Sequence, residues 1–115
     1  MRKVIWRGLL SVVVGSVLAV GGTAVAASSS CRIVPVKDSS CTTGLVAANR
    51  KGHFLFFEVS PAANYSIRDT ETRKIVASGN AGFRGKRKTV FGLYGKGYEL
   101  VVHNPIAGYG YLSNK

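Results

Sequence analysis

Four cations fall within five positions at Arg84-Gly85-Lys86-Arg87-Lys88, just after the turn-forming stretch Gly79-Asn80-Ala81-Gly82. Cations packed this densely repel one another, so a phosphate, sulfate or carboxylate polymer laid across them relieves that cost, and Gly85 lets the backbone come close to it. The same cluster also reads as a solvated hairpin tip whose charge protects a sheet edge. On sequence alone the two readings carry equal weight. Nucleic-acid recognition asks for aromatics interleaved with the cations, whereas Phe83 and Phe91 only flank this run, so that partner is set aside. A second contact candidate lies in the tail, where Gly108-Tyr109-Gly110-Tyr111 alternates Gly with Tyr. Tyr109 and Tyr111 either present a small stacking platform for sugar rings or return the chain to a sheet.

Catalytic spacing is not found. Asp38, Glu58, Asp69, Glu71 and Glu99 show no paired arrangement, there is no Gly-x-Ser-x-Gly, and no phosphate-cradling Gly loop precedes a helix. Glu99 and His103 share a strand face but read as an exposed polar couple rather than a base and its partner. His53 and His103 are the only histidines and no Cys-x-x-Cys occurs, so neither a zinc site nor thiol chemistry is expected. No metal or other cofactor is implied, and the chain reads as non-enzymatic.

These residues belong to a chain of 115 residues with 16 Lys and Arg against 5 Asp and Glu, a net charge of +11. Its first part reads as a secretory signal peptide. Arg2, Lys3 and Arg7 precede the apolar stretch 9–20, and Ala24-Val25-Ala26 supplies the small residues a signal peptidase needs. The cut is placed after Ala26, with Val25 and Ala27 as the alternative frame; the apolar part is short for an uncleaved anchor and Gly21-Gly22 interrupts it. Residues 1–26 are therefore expected to be removed, leaving a secreted chain with 13 cations against 5 acids and no stable membrane span. Outside a cell that excess favours anionic surfaces such as wall polymers, acidic polysaccharides or lipid headgroups.

Export also places Cys31 and Cys41, the only cysteines, in an oxidising compartment where they are expected to bridge. Closing so short a loop stabilises the fold by about 3 kcal/mol on chain-entropy grounds. Residues 27–43 are read as a disulfide-closed arm and 44–115 as the main domain. There the pattern is of short strands at 45–48, 53–59, 65–69, 74–78, 88–94 and 98–103, separated by turns rich in Gly, Asn, Pro and Asp. Connections this short imply antiparallel neighbours. The segment 53–59 is apolar on both faces, so Phe54 and Phe56 need a cover beyond the core. Ile33, Val34 and Val36 of the arm are the expected cover, and an exposed aromatic patch is the alternative.

Leu93, Gly97-Tyr98, Leu100 and Val102 together resemble the tyrosine corner of Greek-key sandwiches, in which Tyr98 bonds back to upstream backbone. With the hairpin from Ile67-Arg68-Asp69-Thr70 to Ile75-Val76-Ala77-Ser78-Gly79, residues 53–104 resemble small bacterial immunoglobulin-like modules. The whole precursor is similar to small secreted β-sandwich proteins of actinobacteria, a group with no assigned function. That resemblance implies an all-β antiparallel Greek-key sandwich of about six or seven strands and transfers no active site.

Two functional classes follow. The first is a secreted basic module that attaches to an anionic cell-wall polymer or polysaccharide, or another extracellular polymer, through Arg84, Lys86, Arg87 and Lys88. The second is a secreted effector, a small toxin or an inhibitor of an extracellular hydrolase, whose partner is an extracellular protein.

Overall fold

A computed structural model describes residues 25–115, and the leader expected over 1–26 lies outside the described residues apart from Val25 and Ala26. Among the described residues the chain is all-β, with no helix and with ten strands: β1 (Val25–Ala26), β2 (Ser28–Ile33), β3 (Ser40–Thr42), β4 (Leu45–Val46), β5 (Phe54–Val59), β6 (Asn64–Asp69), β7 (Ile75–Asn80), β8 (Lys86–Phe91), β9 (Tyr98–His103) and β10 (Gly108–Ser113). They form two sheets. Six strands make the first, in the order β1-β4-β9-β6-β7 with β3 also paired to β9, and four make the second, in the order β2-β10-β5-β8.

Ten strands exceed the six or seven expected, and the reason is local composition. Ser28-Ser29-Ser30 has little strand propensity of its own and becomes β2 only by antiparallel pairing with β10. β10 in turn carries Gly108 and Gly110, which weaken a strand unless a neighbour approaches closely. The arm over 27–43 thus contributes β2 to one sheet and β3 to the other. Pairing is antiparallel throughout except for β1 and β4, which run parallel.

Strand alternation fills the space between the sheets. Leu55, Phe57 and Val59 of β5 point inward, as do Tyr65 and Ile67 of β6, Tyr98, Leu100 and Val102 of β9, and Leu112 of β10, and all are buried. The Phe57 and Tyr65 rings lie 5.0 Å apart in a tilted arrangement that favours aromatic pairs. Gly110 is also an inward position, and a Cβ there would come within 2.6 Å of Val102 and 2.9 Å of Leu100. Ile33 of the arm is buried in this core rather than lying over Phe54 and Phe56. The Cys31–Cys41 disulfide, with Cα atoms 5.7 Å apart, joins β2 of the four-stranded sheet to β3 of the six-stranded one.

The buried Tyr98 hydroxyl accepts a hydrogen bond from the Gly95 backbone N–H at 2.9 Å, beside the buried carboxyl of Asp69. Asp69 itself accepts from the N–H groups of Glu71 and Thr72 at 2.9 and 3.3 Å, which fixes the turn between β6 and β7. Burial pushes the Tyr98 phenol above its ordinary value, and the Asp69 charge adds to the rise while the Gly95 N–H opposes it.

Two outcomes follow from this core. Gly110→Ala overpacks the interface between β10 and β9 and is expected to lower stability by about 1–3 kcal/mol in denaturant unfolding; an unchanged midpoint would mean that the sheets separate freely. The fold favours the neutral Tyr98 phenol, so that contribution to stability is present below the ordinary Tyr range near pH 10 and is lost as pH rises through the higher folded-state value. Tyr98→Phe should flatten the alkaline loss while costing about 1–3 kcal/mol at neutral pH, because the Gly95 N–H loses its acceptor. An identical alkaline slope in the variant would contradict this.

Candidate functional site

The four clustered cations lie along and beside β8, an edge strand of the four-stranded sheet. Strand alternation divides them. Arg87 pairs with Glu58 and points to the sheet's outer face, whereas Lys86 and Lys88 pair with Val59 and Phe57 and lie on the inner side at the open edge. Arg84 sits before the strand in the turn 82–85, where the Gly85 N–H donates to the Gly82 carbonyl at 3.3 Å. Both glycines have positive φ, 75° and 80°, and a Cβ on Gly85 would meet the Val59 carbonyl oxygen at 2.7 Å. Gly85 therefore serves close backbone packing against β5.

The outer face of this sheet is aromatic. The register places Tyr109 beside Arg32, Tyr111 between Ser30 and Glu58, Phe56 beside Thr89 and Phe54 beside Phe91. Phe56 and Tyr111 meet edge to face with centroids 6.3 Å apart, Phe54 and Phe91 are 6.0 Å apart, and the Arg87 guanidinium lies 5.8 Å from the centre of the Phe56 ring. This corrects the expected cover: Val34 and Val36 are exposed, and Phe54 and Phe56 are half-buried without them, Phe54 against the backbone of Gly52 as well as Phe91. Phe91 remains 70% exposed. The result is a row of rings bordered by cations, a surface able to stack on the flat faces of sugar rings while Arg32 and Arg87 meet their acidic groups.

One acid sits within the row. Glu58 accepts a hydrogen bond from the Tyr109 hydroxyl at 3.2 Å and pairs with Arg87 at 3.6 Å. Partial burial raises the Tyr109 phenol above its ordinary value, and the Glu58 hydrogen bond and charge raise it further. The outer face of the six-stranded sheet differs: it shows Asn64, Ser66, Val101 and His103, with Arg68 paired to Glu99. His103 and Glu99 share that face, as their spacing implied, but Glu99 is engaged by Arg68.

Sequence reasoning found the cations and the tail tyrosines separately and did not place them together. The exposed patch of Phe54 and Phe56, which the sequence offered only as the alternative to an internal cover, is the arrangement found; Arg32 was missed, and it reaches the same face only because β10 inserts between β2 and β5. At the opposite end from the turn 82–85, a cleft of about 470 Å³ is lined by Arg50, Lys96 and the stacked rings of His53 and Tyr94, 4.2 Å apart. The disulfide is compatible with an extracellular protein.

No family model, no curated protein and no solved structure matches this chain. The functional reading therefore rests on its own geometry. Glu58→Gln removes the charge that adds to the effect of burial on the Tyr109 phenol, so Tyr109 should ionise at lower pH in the variant, as read from its ring resonances in an NMR titration. Unchanged ionisation would show that burial alone sets it.

Proposed function

We propose that this chain is a secreted, basic, non-enzymatic module that attaches to an anionic polymer of the cell envelope or extracellular matrix. The supporting observation is the row of Phe54, Phe56, Tyr111 and Tyr109 on one sheet face, with Arg87 over Phe56 and Arg32 beside Tyr109. Rings take the apolar faces of sugars and the guanidinium groups take their carboxylates, sulfates or phosphates. Lys86, Lys88 and Arg84 extend the positive field along the adjoining edge, raising the local concentration of polyanion before contact.

Export and cleavage of residues 1–26 belong to this proposal, supported by the leader's three-part pattern and the disulfide. So does the Greek-key, immunoglobulin-like form of the sandwich. Its support is the chain's repeated crossing between sheets from β7 to β10 and the Tyr98 bond to upstream backbone.

The test is retention of the mature chain, residues 27–115, which keeps all of the buried core and every described strand except the two-residue β1, on isolated cell wall and on a neutral polysaccharide across a salt series. Retention on the wall should fall steeply with salt, and changing Arg84, Lys86, Arg87 and Lys88 to Gln should abolish it at low salt. Glu58→Gln should move the other way, eluting at higher salt because it removes the acid within the row. Equal retention of the parent and the four-Gln variant would reduce the cluster to a charged edge.

A further inference from the structure

The strand directions bring four connections to one end of the molecule: 34–39 after β2, 60–63 after β5, 81–85 after β7 and 104–107 after β9. They are tied together by backbone and asparagine hydrogen bonds. The Ala62 carbonyl accepts from the side-chain amides of Asn80 and Asn104 at 3.4 and 3.5 Å, the Ala62 N–H donates to the Gly82 carbonyl at 2.8 Å, and the Asn104 N–H donates to the Ser39 carbonyl at 2.9 Å. All three prolines of the chain, Pro35, Pro61 and Pro105, lie in this group of loops.

Three of the loops carry an apolar side chain outward. Phe83 and Val36 are fully exposed and Ile106 is 75% exposed. Phe83 stands at the tip of the turn closed by Gly82 and Gly85, so its display is built into the backbone. Val36 is the more telling residue. It adopts φ of 75°, a conformation that costs a β-branched residue strain, and its exposed side chain has no packing in the fold to offset that cost. Around these tips lie Arg32, Lys37, Arg84 and Lys86; Asp38 is the one acid of the four loops, and Glu58, near the same end of β5, is paired with Arg87.

We infer that this end inserts Val36, Phe83 and Ile106 into the interfacial layer of an anionic lipid bilayer. Apolar tips on a rigid loop set enter the headgroup boundary, and the surrounding cations meet the acidic headgroups, two signals that together give stable peripheral attachment. A sugar polymer offers no apolar layer for three separate tips. This surface adjoins the aromatic face and shares Arg32, Arg84 and Lys86 with the proposed polymer site, but its apolar tips make their own contacts and its failure leaves that reading standing.

The test uses residues 27–115 with Phe83→Trp, which is then the only tryptophan because the natural one is Trp6. Its emission should shift to the blue on vesicles of phosphatidylcholine with about one-third phosphatidylglycerol, and not on phosphatidylcholine alone. Co-sedimentation with the mixed vesicles should weaken at least about tenfold when Val36→Asn, Phe83→Ser and Ile106→Ser are combined. Val36→Asn alone should weaken binding while leaving the thermal midpoint unchanged or higher, since Asn accepts positive φ. Emission unmoved by the mixed vesicles, or equal binding by the triple variant, would overturn the inference. So would a blue shift produced by dextran sulfate and not by vesicles, which would assign the loops to polymer.

Discussion

Gly110 of β10 faces Leu100 and Val102 of β9 with no space for a side chain between them. Because strand residues alternate, the same segment that places nothing larger than hydrogen at Gly110 on its inner side places Tyr109 and Tyr111 on its outer side. Close packing of the two sheets and display of the rings are therefore one pattern. The position of β10 between β2 and β5 extends it, setting Arg32 on one flank and Phe56 and Glu58 on the other. The disulfide then secures this arrangement from the side. It links β2 to the opposite sheet and closes the connection that carries Val36.

Strands with clear alternation were legible in the sequence. The expected 98–103 coincides with β9, and 53–59 differs from β5 by one residue, because Leu55, Phe57, Leu100 and Val102 announce an inner face. β2 was not legible, since Ser28-Ser29-Ser30 acquires strand form from its partner rather than from its own side chains. β10 gave a usable signal in its period-two Gly and Tyr, yet glycine in a strand reads as flexibility until the packed neighbour is known. The arm illustrates a different failure. Ile33 is apolar and was assigned to the outer rings, but the chain turns directly after it: the N–H groups of Lys37 and Asp38 donate to the Val34 carbonyl, leaving Val34 and Val36 outside.

The candidate site was legible in its parts. The cations of 84–88 stand out by composition, and strand alternation alone would have separated Arg87 from Lys86 and Lys88 once β8 was extended back to Lys86. What one-dimensional reading lacked was adjacency. Phe56, Tyr111 and Arg87 are far apart in sequence and come together through pairings of β5 with both β10 and β8. Aromatics interleaved with cations, absent along the chain, are present across the sheet, so the linear spacing that set nucleic acid aside does not describe this surface.

The central claim is that the outer face of the four-stranded sheet is the contact surface for polyanion. The most direct measurement is an NMR titration of isotope-labelled residues 27–115 with a soluble acidic polysaccharide, following backbone amides and tyrosine rings. Shifts should concentrate in β5, β8 and β10 and at Arg32, while Ser66, Val101 and His103 on the other sheet stay fixed. Shifts centred on the six-stranded sheet, or confined to the cleft lined by His53 and Tyr94, would contradict the claim.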